Sequence, residues 1–197
     1  MISVVLIRHG PTEWNLKGRI QGHTDVSLSE AGRTEVSRWS VPSALNQHNW
    51  VTSPLKRAVE TARLLSRREA QQEPRLMELN WGRWEGCTWD ELHAAHGPAL
   101  AKMLETHGLD FEPPAGESRR ALLQRLQGWL SEVAAHARPV AAVTHRGVIH
   151  AALALATGWD MRGRAPERLD WSSAHLFSLR PEGHLQVDRL NLELRAQ

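Results

Sequence analysis

Apolar and polar positions follow two kinds of pattern along this chain. Val4-Val5-Leu6-Ile7 is an unbroken run of β-formers that ends at Arg8-His9-Gly10-Pro11, and Val140-Ala141-Ala142-Val143 is a second run ending at Thr144-His145-Arg146-Gly147. Short runs with no polar face predict buried strands. From Ser118 onward the period changes. Leu122, Leu123, Leu126, Trp129, Leu130, Val133, Ala134 and Ala137 recur at spacings of 1, 3 and 4 and predict a core helix that Pro139 stops. Local signals add the other elements. Ser27 or Ser29, with Glu30 in the first turn, announces a helix that fades before Pro42, and Asn49 to Thr52 reads as a short strand. Ser53-Pro54 reads as a cap and an N1 proline opening a helix over Leu55 to Ser66. Thr88-Trp89-Asp90-Glu91 is a capping box for a helix broken at Gly97-Pro98 and resumed to about Thr106. Val148 to Thr157 is an apolar helix, and Ser173 to Leu179 with His184 to Leu194 forms a hairpin about Pro181-Glu182-Gly183. Asn15 to Ser27, Glu73 to Gly86 and Leu109 to Gly116 carry no regular period and are expected as loops.

Strands alternating with helices, followed by a terminal hairpin, predict an α/β fold: a three-layer α/β/α sandwich with a mostly parallel central sheet and helices on both faces. At 197 residues and 41% hydrophobic content the chain is expected to be one domain, 1–197, with residues 80–117 as a cap over one face. No apolar run is long enough to span a bilayer and none reads as a signal peptide, so no membrane partner and a cytoplasmic location are expected. Cys87 is the single cysteine, which excludes an internal disulfide and a thiolate metal cluster. The formal charge is +2, too balanced for a dedicated nucleic-acid binder. Lys occurs only at 17, 56 and 102, so 21 of the 24 basic residues are Arg.

The candidate chemistry sits where the two apolar runs end. Ligand sites in open α/β sheets gather at the carboxyl ends of strands. Here each end presents a histidine beside an arginine and a glycine: Arg8-His9-Gly10 and His145-Arg146-Gly147. A guanidinium is a planar fork of donors suited to phosphate, and a neutral imidazole can serve as nucleophile or base. Arg57, in the first turn of its helix, lies beside free backbone N–H groups and the positive end of the macrodipole, a natural anion position. Phosphate chemistry is the reading these residues favour.

Several separate motifs then fall in one order: Arg8-His9-Gly10 with Thr12 and Asn15; Arg19-x-Gln21-Gly22-x-x-Asp25; Leu28-Ser29-x-x-Gly32; Ser53-Pro54-Leu55-x-Arg57-Ala58-x-x-Thr61-Ala62; Glu78-x-x-x-Gly82-x-x-Glu85-Gly86; Gly116-Glu117-Ser118; and Thr144-His145. In this the sequence resembles the phosphoglycerate-mutase-like branch of the histidine phosphatase superfamily, from residue 3 to about 150. The resemblance implies a phosphate pocket in which His9 is the nucleophile. Arg8, Arg57 and a charged His145 would neutralise the phosphoryl oxygens, Asn15 would add a neutral donor, and Glu78 would protonate the leaving oxygen; only the Glu-x-x-x-Gly pattern selects Glu78 over Glu13 and Glu85. Gln21, Gly22, Trp81 and Arg146 are expected on the substrate, and no metal or other cofactor is expected. Trp81, Trp84 and Trp89 are read first as covering the core, with a wall of the substrate pocket as the alternative. Phosphoryl transfer needs an in-line attacker, positive charge and a proton for the departing alkoxide, and these residue types supply all three. One His9 nitrogen must then be bare while the other is pinned by an acceptor such as a backbone carbonyl.

Departures from the family pattern narrow the activity. Arg146 stands where a glycine is common, and Ser27 where a proline is frequent. The stretch from Gly86 to Gly116 lacks a long insertion with paired basic residues, and Arg119-Arg120 follows Gly-Glu-Ser. The expected activity is a metal-independent phosphomonoesterase working through a phosphohistidine on a small phosphorylated metabolite. The alternatives are a mutase-type phosphotransferase and, from another class, a non-catalytic phospholigand-binding protein.

Overall fold

A computed structural model describes residues 1–194. In chain order its elements are β1 (Ile2–Arg8), α1 (Glu13–Leu16), α2 (Glu30–Ser37), β2 (Asn49–Thr52), α3 (Lys56–Ser66), β3 (Gln71–Gln72), α4 (Trp89–His96), α5 (Pro98–Thr106), α6 (Arg119–His136), β4 (Val140–Thr144), α7 (Arg146–Thr157), β5 (Ser173–Leu179) and β6 (Leu185–Glu193). Single 3-10 turns cover Ser43–Gln47, Pro74–Leu76, Gly82–Trp84 and Gly108–Asp110.

The unbroken apolar runs are explained by what lies on each side of them. Val4 and Leu6 of β1 pack in one core cluster with Leu122, Leu126, Trp129 and Leu130 of α6 and Val148, Ile149 and Leu153 of α7. Val5 and Ile7 point the other way, into a second cluster with Val36 of α2 and Ala58 and Ala62 of α3. β4 repeats the division, with Val140 and Ala142 on the first side and Ala141 and Val143 on the second. Successive strand residues face opposite sides, so a strand with helices on both faces must be apolar at every position. The result is the expected three layers.

The six strands lie in the order β3-β2-β4-β1-β5-β6. β3, β2, β4 and β1 are parallel neighbours; β5 runs antiparallel to β1, and β6 antiparallel to β5. The hairpin therefore extends one edge of a parallel sheet and makes it mixed. Its turn closes by Arg180 N–H donating to the His184 carbonyl at 2.9 Å, with Gly183 at φ +84°, a backbone region glycine enters without a Cβ penalty.

Caps account for most helix starts. Ser29 caps α2, Ser118 caps α6, and Thr88 makes the expected capping box with Glu91. Two readings need correction, and one strand had none. α3 begins at Lys56, and Ser53 does not cap it; Leu55 holds the cap position with no side-chain bond, while Asp25 accepts the Lys56 N–H at 2.7 Å from another loop. Thr12 forms a capping box with Asn15 that starts α1, just where the loop was expected to open. β3 is only two residues long and has no readable pattern.

Candidate active site

Because β1 and β4 are adjacent and parallel, with Arg8 opposite Thr144, the residues that follow them come out side by side. His9 N–H extends the ladder to the Thr144 carbonyl at 3.0 Å, and the His9 and His145 rings stand 5.1 Å apart between centres. His9 Nδ1 lies 2.7 Å from its neighbour's carbonyl, Gly10 O. A carbonyl only accepts, so Nδ1 carries the proton and Nε2 is bare. Burial, then the Arg8 and Arg57 charges, hold His9 well below the ordinary imidazole range, so the ring is neutral at pH 7.

His145 is completely buried. The ring expected to carry charge is instead pushed toward neutrality, by burial first and then by Arg57. Its Nε2 pairs with Ser53 Oγ at 2.8 Å, while Nδ1 is buried with no partner among the described residues. If the Ser53 hydroxyl donates to Nε2, Nδ1 is protonated, and a neutral ring still offers a donor to an oxyanion. The hydroxyl read as a helix cap is occupied here.

Arg57 is fully buried, and its head group is tied to a loop: Nη2 donates to Gly22 O at 2.7 Å and Nη1 to Thr24 O at 3.1 Å. Glu85 holds that loop, accepting the His23 and Thr24 N–H groups at 2.8 and 2.7 Å and the Trp81 N–H at 3.2 Å. Burial alone would raise the Glu85 carboxyl, but the hydrogen bonds from Thr24, His23 and Trp81 outweigh it and lower it. Gly22 is pressed against this junction, since a Cβ there would fall 2.0 Å from Glu85 Oε1 and 2.8 Å from Trp81 N. Arg8 is pushed down to about 10, mainly by burial and then by Arg146, and remains a cation at neutral pH.

Glu78 is buried at 7% exposure, and its carboxyl group is fixed by backbone N–H groups: Leu79 at 2.8 Å, and Gly147 at 3.0 and 3.2 Å to its two oxygens. A Cβ on Gly147 would lie 2.2 Å from Glu78 Oε1, so the contact depends on glycine. Burial raises the carboxyl above its ordinary range even though these N–H groups and Arg57 oppose it. A dianion bound beside it would push it further toward the acid form. From behind, Arg125 donates to Glu78 O at 3.0 Å and to both oxygens of Glu117 at 2.7 and 2.9 Å, and the Glu78 carbonyl also lies 2.9 Å from His23 Nε2.

These groups border a cavity of about 740 Å³ lined by Arg8, His9, Arg57 and Glu78 together with Asn15, Gln21, Trp81 and Arg146. Asn15 and Gln21 both direct their carbonyl ends to Thr12, at 3.1 and 2.9 Å, which leaves their amide nitrogens as donors. Trp81 belongs to both readings. It packs with Trp84, Trp89 and Phe111 and also lines the cavity; Trp84 is core, whereas Trp89 is a second wall residue. Gly22 and His145 do not line the cavity; the Gly22 carbonyl accepts from Arg57, and the His145 ring stands beside His9. Sequence reasoning passed over Arg19, Arg119, His150, Trp159 and Arg164, which also border it. His150 had a signal, four residues after Arg146 on the same helix face. Arg19 had one too, as the first residue of the Arg19-x-Gln21-Gly22 motif; the others sit in loops or at a helix start and had none.

Among the described residues, no three His, Cys, Asp or Glu side chains are grouped to hold a metal ion, and no helix is long and apolar enough to cross a membrane.

The chain is similar to known proteins over most of its length. The chain is 34% identical over 163 residues to glucosyl-3-phosphoglycerate phosphatase of Mycobacterium tuberculosis, covering 75% of this chain and 72% of that protein. It is 30% identical over 138 residues to phosphoserine phosphatase 1 of Hydrogenobacter thermophilus, which is 68% of this chain and 64%, slightly under two thirds, of that relative's length. The solved structure of the mycobacterial glucosyl-3-phosphoglycerate phosphatase with VO3 superposes with a TM-score of 0.80 at 28% identity, covering 98% of this chain and 100% of that one. Residues 4–193 match the histidine phosphatase superfamily, branch 1, and the chain belongs to that family as a phosphatase of its phosphoglycerate-mutase-like type.

Proposed function

We propose that the protein is a metal-independent phosphomonoesterase that hydrolyses a small phosphorylated metabolite through a phosphohistidine at His9. The observation that carries this reading is the His9 ring itself: Nδ1–H is pinned on Gly10 O, and the bare Nε2 belongs to a ring lining the same cavity as Arg8, Arg57 and Glu78. In the first half-reaction Nε2 attacks phosphorus, the P–O bond to the alcohol breaks, and the proton on Glu78 goes to the departing oxygen. In the second, the Glu78 carboxylate takes a proton from water, whose oxygen attacks phosphorus as the P–N bond breaks, releasing phosphate and restoring His9. Arg8 and Arg57 spread positive charge over the transferring oxygens, the service a divalent ion gives elsewhere. Asn15 and Gln21 add neutral donors.

The segment 80–117 serves as a cap in this reading, with Trp81 and Trp89 keeping water from the alcohol. Relatives named for phosphoserine and glucosyl-3-phosphoglycerate support a small phosphorylated substrate. A phospholigand-binding role is disfavoured because nucleophile and acid are both present and oppositely tuned. A mutase is disfavoured because the 86–116 stretch lacks a long basic insertion.

The test is chemical trapping. A ³²P-labelled phosphomonoester is mixed with enzyme and quenched in alkali, where a phosphoramidate bond survives. Label that is stable to alkali, labile to acid and absent from His9→Ala is the expected result. Turnover without trapped label at any mixing time, or label retained in His9→Ala, overturns the intermediate.

A further inference from the structure

The stretch that carries Glu78 has no regular structure to hold it. Met77 to Trp81 lie between two 3-10 turns, outside any helix or strand, so the place of the carboxyl is set by whatever grips that backbone. Thr144 Oγ1 donates to Leu76 O at 2.8 Å, and His23 Nε2 lies 2.9 Å from Glu78 O. A wider grip comes from one side chain on α6.

Arg125 donates from Nη1 to Arg75 O at 2.6 Å and from Nη2 to Glu78 O at 3.0 Å, so its planar fork bridges the peptide units that lead into the acid. Nε and Nη2 also reach the two oxygens of Glu117 at 2.7 and 2.9 Å. Four of the five guanidinium N–H groups are used in this way. Glu117 closes the other side of the acid: its N–H donates to Asn80 O at 2.9 Å, and its Oε2 accepts the Asn80 N–H at 3.4 Å. Neither residue borders the cavity.

This pair differs from the other ion pair of α6. Arg120 bonds to Asp110 with partners 51% and 65% exposed, and it donates to no backbone group among the described residues. Exposed pairs of that kind contribute little. Arg125 and Glu117 are only 19% and 17% exposed, and one rigid plane meets a carboxylate and two carbonyls, which a compact ammonium cannot reproduce. The charge matters as well. Burial raises the Glu78 carboxyl, and the Leu79 and Gly147 N–H groups, then Arg57 and Arg125, oppose that rise. The guanidinium that fixes the chain therefore also favours the ionised form needed in the second half-reaction.

We propose that Arg125, anchored by Glu117, is a positioning residue that holds Glu78 against the departing oxygen in the first half-reaction and against water in the second. This rests on the reading of Glu78 as the acid and names what fixes it in place.

The test compares glycerol 2-phosphate, an alkyl ester, with nitrophenyl phosphate, whose leaving group needs little proton transfer. Pre-steady-state release of alcohol and the inhibition constant for inorganic phosphate are measured for wild type, Arg125→Gln, Arg125→Lys, Glu117→Gln, Glu78→Gln, the Arg125→Gln/Glu78→Gln double variant and the exposed control Arg120→Gln. Each is checked by thermal melting. The expected result for Arg125→Gln is a loss of about tenfold or more on the alkyl ester, a severalfold smaller loss on nitrophenyl phosphate, and phosphate inhibition within about twofold of wild type. Arg125→Lys and Glu117→Gln should lose in the same selective way, and Arg120→Gln should not. In the Glu78→Gln background, Arg125→Gln should cost less than about twofold more, because the acid through which it acts is already gone. If Arg125→Gln does not fold, Arg125→Lys and Glu117→Gln decide by the ratio of their losses on the two esters. No loss, equal losses on both esters, a loss undiminished in the Glu78→Gln background, or phosphate inhibition weakened as much as the rate would each overturn the proposal while the acid assignment stands. Equal losses in Glu78→Gln itself overturn that assignment, and hydrolysis of neither ester overturns the phosphatase reading; the positioning role falls with either.

Discussion

The two ends of the cavity are built on different principles. At the phosphate end, His9 is held by Gly10 O, Arg57 by Gly22 O and Thr24 O, and Glu78 by the N–H groups of Leu79 and Gly147. Backbone groups do the positioning there, burial has removed water, and the buried imidazoles and the carboxyl all move toward their neutral forms. Around His150, by contrast, Arg146 and Arg164 are exposed side chains with no ion pair among the described residues. Chemistry on a phosphoryl group needs a fixed geometry, and backbone can fix it within a few tenths of an ångström. Recognition of the rest of a substrate tolerates longer, looser side chains.

If that contrast is right, substitutions at the phosphate end should cost rate, in proportion to how directly the group meets the reacting atoms. His9→Ala is expected to lose at least about 1,000-fold in kcat, roughly 4 kcal/mol of barrier, with an unchanged melting transition. Retention of a tenth of the wild-type rate would remove His9 as nucleophile. Glu78→Gln should lose about 100-fold or more on an alkyl phosphate and much less on nitrophenyl phosphate, whose leaving group needs little proton transfer. Pre-steady-state release of alcohol measures this. Equal losses on both substrates would end the acid assignment, and Glu85, already committed to the His23–Thr24 loop, would not inherit it.

The opposed shifts of His9 and Glu78 also set a pH profile. His9 must be unprotonated and its value is lowered, so the rising limb of kcat/KM should fall below pH 6.5. Glu78 must be protonated and its value is raised, so the falling limb for an alkyl phosphate should lie above pH 4.5 and vanish in Glu78→Gln. A falling limb kept by Glu78→Gln would assign it to another group.

Smaller effects sharpen the comparison. Ser53→Ala removes the hydroxyl paired with His145 Nε2 and should weaken phosphate inhibition about tenfold, near the upper range for one hydrogen bond. Ser53→Thr should restore it. An unchanged inhibition constant in Ser53→Ala would make that contact structural only. Smallest of all, Arg63→Ala breaks an ion pair with Glu69 whose partners are 66% and 76% exposed. It should change stability by less than about 0.5 kcal/mol in denaturant titration and leave turnover as it was.

Much of this was readable before any fold was known, and particular residues show why. The two strand-end histidines follow apolar runs, and such runs are local features whose consequence, burial on both faces, is general. Ser29 and Thr88 were legible as caps because a cap bonds within three residues of itself. Ser53 looked the same and was not a cap, since its hydroxyl faces His145 from 92 positions away. Glu78 could be picked out only through the family's spacing. Nothing local distinguishes it from Glu85, whereas in the fold one carboxyl meets Gly147 and the other knits the loop whose carbonyls accept from Arg57.

The sequence by itself determined the layered fold, the order of its main helices and strands, and the pair of histidines at the ends of β1 and β4. Those follow from periodicity and from short-range hydrogen bonding, which act between residues close in the chain. Only the tertiary structure decided which His9 nitrogen is bare, which glutamate is buried and raised, that His145 is neutral, and which arginines are left without a partner. Each of these depends on desolvation and on contacts between segments tens of residues apart, and no local pattern encodes them.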